Sequence, residues 1–188
     1  MHTALRRICI FLGCFAAVSI PASAQDVIHA LTGTVSSINA AAHTITVFQD
    51  NGQQGVFQDM SAKHRVSLDK RIAADVTTID DFKKQGAYVI VFYFGDSDSR
   101  TVIGIKNLGA GPFASTKGTF RKIDGHRTLV LTDSSGKEQT FKIGPQTVAE
   151  GMFGAIPGAK FDAQKGDNIR VVSSNIDGSP TALFISEM

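Results

Sequence analysis

Tryptophan is absent, tyrosine occurs only twice, and both cysteines, Cys9 and Cys14, lie close to the N-terminus. They fall inside a stretch that reads as a cleavable leader. A mature chain without it has no thiol, which excludes cysteine nucleophiles, thiolate metal sites, disulfides and redox relays. Charge of one sign is also lacking. The chain carries 19 Lys+Arg against 17 Asp+Glu, and the excess is Arg6 and Arg7 of the leader itself. Beyond the leader the chain is neutral, so the basic balance that nucleic acid or an anionic membrane attracts is missing. No apolar run reaches the ~20 residues of a membrane-spanning helix. Gly-x-Ser-x-Gly, His-Glu-x-x-His and a glycine-rich phosphate loop are all missing, so the sequence points to no catalytic activity.

What is present begins with residues 1–24. Arg6-Arg7, an apolar stretch from Ile8 to Ile20 and the small residues Ala22-Ser23-Ala24 have the anatomy of a signal peptide. Export is expected, to the periplasm or beyond, with the mature chain starting at Gln25 and carrying no transmembrane segment.

The rest is one sentence written twice. Gly33-Thr34-Val35-Ser36-Ser37-Ile38 with Thr44-Ile45-Thr46-Val47 returns as Gly118-Thr119-Phe120-Arg121-Lys122-Ile123 with Thr128-Leu129-Val130-Leu131, about 85 residues later. Gly52 and Gly136, Phe57 and Phe141, and Gly86 and Gly166 continue the match. Within each copy apolar residues alternate along Thr- and Val-rich stretches bounded by turn signals such as Asp50-Asn51-Gly52 and Ser134-Ser135-Gly136. Ile38 and Ile123 each fall one residue out of phase, which predicts a β-bulge in both first strands. The spacing predicts an all-β fold of two tandem small OB-like β-barrels, about five strands each. Copy 1 covers 29–108, a Gly-Pro linker covers 109–114, and copy 2 covers 115–188. Residues 147–156, with Gly151 and Gly154, are expected to form a loop or broken helical turn, and Val66-Ser67-Leu68 a possible extra strand.

These phrases, with Asp81-Phe82-Lys83-Lys84-Gln85-Gly86 and Gly166-Asp167 before the last strands, resemble an exported bacterial small β-barrel domain of unknown function. Its copies read G-x-V-x-x-I and then D-L-K-x-G-D-x-V. Copy 1 departs from the pattern at Ala87, where the family has Asp. The resemblance implies fold and compartment and attaches no activity. A periplasmic copper-efflux chaperone opens with a similar phrase and binds copper through a His, two close Met and a Trp. That site does not carry over to a chain without Trp whose Met60 has no second Met beside it.

Few side chains suggest chemistry. Met60 and His64 form a soft donor pair of the kind that holds Cu(I), although a Met beside a loop His needs no metal to explain it. No cofactor is expected, and copper handling through Met60 and His64 is kept as an alternative. His43 and His126 occupy equivalent hairpin turns. Asp80-Asp81 reads as a cap, and Asp96-Ser97-Asp98 as a polar turn without the remaining ligands of a calcium loop.

The copies differ most on the outward face of strand four. Tyr88, Ile90, Phe92 and Phe94 stand where copy 2 has Asn168, Arg170, Val172 and Ser174. Copy 2 reads as solvated there and copy 1 as covered, since an open apolar stripe of this size is avoided by soluble monomers. The cover is the insertion at 60–78, the second barrel, or an outside partner, the internal covers being the plainer explanation. The expected function is a non-catalytic binding or interaction module of the bacterial cell envelope, with Tyr88, Ile90, Phe92 and Phe94 as the contact face. Its partner would be an envelope protein or small ligand and not nucleic acid. An enzyme with a site between the barrels is the remaining alternative.

Overall fold

A computed structural model of the chain describes residues 27–59, 67–96, 99–125, 127–176 and 178–188. The leader at 1–24, Met60, His64 and His126 lie outside the described residues. Among the described residues there is no α-helix, and no helix is long and apolar enough to cross a membrane.

The first half contains β1 (His29–Asn39), β2 (Thr44–Gln49), β3 (Gln54–Asp59), β4 (Val76–Thr77), β5 (Tyr88–Phe94) and β6 (Thr101–Asn107). Strands β1, β2, β3, β6 and β5 pair in a closed ring, antiparallel throughout except for the parallel β3–β6 contact. The second half repeats this with β7 (Phe113–Asp124), β8 (Thr128–Asp133), β9 (Glu138–Gly151), β10 (Gly154–Pro157), β11 (Asn168–Ile176) and β12 (Ser179–Glu187). There β7, β8, β9, β12 and β11 close the ring, with β9–β12 parallel. The chain is therefore all-β, two closed five-stranded barrels in tandem.

The shared phrase has a physical reason in both barrels. Register slips between Val35 and Ser37 in β1, and between Phe120 and Lys122 in β7, so each first strand carries the bulge that its phase shift predicts. A Cβ at Gly33 would lie 2.4 Å from the Phe48 carbonyl oxygen, and one at Gly118 the same distance from that of Thr132. Only glycine allows the second strand to close over the first at that point. Alternation then sends Ile45, Val47, Phe57, Val89 and Val91 into one core, and Leu129, Leu131, Phe141, Ile169 and Val171 into the other.

The barrels diverge where each closes on its last strand. In barrel two β9 runs on past Ile143 and pairs Val148, Ala149 and Glu150 with β12. In barrel one β3 ends at Asp59, and the equivalent stretch of β6 is filled by β4, which pairs with Lys106 and Ile105 from the opposite direction. Val76 of β4 lies so close over Gly104 that a Cβ there would approach its Cγ1 to 2.2 Å. The expectation of a loop at 147–156 is thus corrected: those residues finish β9 and turn into β10. Gly151 and Gly154, expected to belong to a loop or broken helical turn, pair with each other at a tight β-hairpin turn. The suspected strand at Val66-Ser67-Leu68 is absent from the described part, Ser67 and Leu68 having no strand pairing.

Candidate functional site

A third core joins the two barrels. Ala30, Ile90 and Phe92 from barrel one meet Val148, Val172 and Phe184 from barrel two, and Ile72 of the insertion closes the cluster. Ile90 and Phe92 are completely buried. The insertion and the second barrel are therefore what covers this side of β5, and these two residues have no surface left for an outside partner. Tyr88 and Phe94, at the two ends of β5, are partly buried, and Tyr88 packs on Phe113 of the second barrel with ring centroids 5.0 Å apart. The facing strand of copy 2 is not solvated as its polar sequence suggested. Val172 is buried in the shared core, and Arg170 lies over the Phe184 ring, 5.8 Å from its centroid.

Two polar clamps flank this apolar contact. Arg170 donates to Asp50 and to the Thr32 hydroxyl (2.9 Å), while Thr32 donates to the same Asp50 oxygen (2.6 Å). The Tyr88 hydroxyl donates to that oxygen as well. Burial, reinforced by the Asp50 carboxylate, pushes the Tyr88 phenol up to about 12. At the other clamp Glu150 pairs with His29 Nδ1 (2.7 Å) and accepts the Ala30 N–H (2.7 Å). Burial raises the Glu150 carboxyl even so, against the pull of His29 and that N–H. Every one of these groups has a polar partner at the interface.

Lys106 has not. It sits on β6 directly opposite Ile90 on one side and Val76 on the other, so alternation turns it away from the barrel core and toward the second barrel. The residue is only 4% exposed, and its Nζ has no hydrogen-bond partner among the described residues. Desolvation lowers its pKa, against the opposing pull of the Asp75 charge. Lys106 lines a cleft of about 320 Å³ between the barrels. Asp75 and Leu108 share its first wall, and Pro145, Thr181 and Leu183 stand on the second.

The second wall is built by local devices. The Thr147 hydroxyl donates to the Ala182 carbonyl (2.6 Å) and accepts the Gly144 N–H (2.8 Å), which pins the bend in β9. Leu183 is the extra residue of a register slip between β11 and β12, as Ile103 is between β5 and β6. The same bulge sends Ile103 to the shared core and Leu183 to the cleft.

Two other constellations are closer to saturation. A cavity of about 510 Å³ at the end of barrel one is lined by Gln49, Gln53, Gln54 and Gln58, but its cation, Arg100, already lies over the Phe57 and Tyr93 rings. His43, held at φ 48°, brings its Nδ1 to 2.9 Å from Asp80, with Asp59 completing a group whose ligand atoms lie within 4.8 Å. This group is largely exposed, and its oxygen-rich donors suit a harder cation than Cu(I). Asp81 accepts from the Thr78 hydroxyl, which in turn accepts the Asp81 N–H, so Thr78 plays the capping part expected of the Asp80-Asp81 pair.

Sequence reasoning missed Lys106, which reads as an ordinary outward lysine. The usable signal was its position directly across the strand pair from Ile90, inside a face already identified as apolar. Comparison with known proteins adds no further constraint: no protein family and no curated protein matches the chain.

Proposed function

We propose that this chain is a non-catalytic binding module of the cell envelope, exported by the segment at 1–24, with OB-like barrels and its ligand seat in the cleft between them. The observation that carries this reading is that the cleft has one wall from each barrel, while the shared core and both polar clamps hold those walls together. A site whose geometry depends on two domains is fixed only if their contact is, and here that contact is apolar at its centre and paired at its edges. Its volume lies at the lower end of the ~300–1,000 Å³ range of small-molecule pockets. The Thr147 hydroxyl beside it is committed to backbone, which supports a role in shape and not in proton transfer.

The test is native mass spectrometry of the mature chain recovered from a bacterial periplasm, beside a Leu183→Trp variant whose indole fills the cleft. Retained small-molecule mass on the parent chain and its loss from the variant is the expected result. Equal retention by both would place the ligand elsewhere and overturn the reading.

A further inference from the structure

We infer that the cleft between the barrels takes a small amphiphilic monoanion, a single carboxylate-like charge on an apolar body, with the Lys106 ammonium as its counter-charge. This rests on the reading of the cleft as the ligand seat and adds the chemical class of its occupant.

A buried ammonium without an acceptor costs folding energy that an apolar side chain at the same place would not. Elsewhere at this interface each ionic group is matched: Arg170 by Asp50 and Glu150 by His29. Lys106, beside these four, is the one that faces a cavity in place of a partner. An arriving anion supplies the missing acceptor, and in a site of low dielectric that pairing is stronger than it is in water.

The surroundings narrow the class. Leu108, Pro145 and Leu183 offer apolar contact, so the body of the ligand is apolar. Asp75 is exposed and contributes a negative charge to the same cleft. Lys106 and Asp75 together give the lining no net charge, which works against phosphate esters and nucleotides carrying several negative charges and leaves one local ammonium for a single one.

Isothermal titration calorimetry with octanoate as probe, and 1-octanol as its neutral counterpart, tests this on the mature chain. Octanoate is expected to bind and octanol to bind far more weakly. Lys106→Met is expected to weaken octanoate by about tenfold to hundredfold, the usual worth of a hydrogen bond to a charged group. Should that variant not fold, Asp75→Asn serves in its place: it removes the opposing charge from an exposed position where asparagine tolerates the φ of 60°, and it should tighten octanoate binding. Octanol binding as tightly as octanoate, with neither substitution having an effect, would overturn the anion while leaving the cleft as a ligand seat. Binding of neither probe overturns the inference as well, and a chain that also carries no retained ligand from the periplasm takes the proposed function with it.

Discussion

Arg170 of the second barrel and Asp50 of the first form a direct ion pair across the barrel interface, with Thr32 and Tyr88 bonded to the same carboxylate. Asp50 lies in the turn after β2, a place where sequence predicts nothing beyond a tight reversal. Arg170→Met strands a carboxylate that is mostly shielded from water and should cost about 2–3 kcal/mol in urea unfolding. Combining it with Asp50→Ala should cost clearly less than the two single losses added together, as a double-mutant cycle would show.

Tyr88 gives the interface a signature at alkaline pH. Its phenol is held at about 12 when folded and returns to 10 when unfolded. The folded state keeps the proton longer, so the stability it confers is complete below pH 10 and is lost between pH 10 and 12. Ultraviolet titration should find both tyrosines ionising above the ordinary 10 in the folded chain, since burial raises Tyr93 as well. Tyr88→Phe should remove most of the loss of stability in that window.

Lys106 has the opposite sense. Its folded pKa lies below the ordinary 10.5, so the unfolded chain binds the proton more readily and the charged form opposes folding at neutral pH. Lys106→Met should therefore raise stability by about 1–3 kcal/mol at pH 7. That advantage should shrink as the pH approaches 10.5. A variant that is less stable than the parent at pH 7 would show that the ammonium has a partner after all.

Phe92→Ser tests the covered face. Phe92 touches solvent nowhere and belongs to the core that both barrels share. Truncating it and burying a hydroxyl should cost about 3–5 kcal/mol and destabilise both halves together. Differential scanning calorimetry should show one broadened or lowered transition. A fully folded variant that newly binds an apolar dye would instead restore the case for an outside partner.

Gly33→Ala and Gly118→Ala probe the repeated phrase. Each new methyl meets a carbonyl oxygen at 2.4 Å, so each should destabilise by at least about 1–3 kcal/mol. The two losses should be similar, because the surroundings are repeated with the sequence. Denaturant midpoints of the two variants are the measurement.

Much of the architecture was legible in the residues. Paired glycines, the phase slips at Ile38 and Ile123, and the alternation through Val89-Val91 and Ile169-Val171 all report local backbone demands, which act on each copy by itself. The interface was legible only in part. Alternation shows which face Ile90, Phe92 and Lys106 share, but the identity of what lies above that face is a long-range fact. Arg170 misled for the same reason, since a charged side chain in an outward position looks solvated until the turn carrying Asp50 is set against it. The hairpin at 151–154 was misread because glycines mark a reversal without stating which element it reverses.

The shared core also sets an order of events. Phe184 follows Phe92 by roughly ninety residues, so the two halves of that core come from distant parts of the chain. Until the second barrel has docked, the first holds Ile90 and Phe92 with only its own insertion to shelter them. Completion of the first barrel's outer face therefore depends on the last strand of the second.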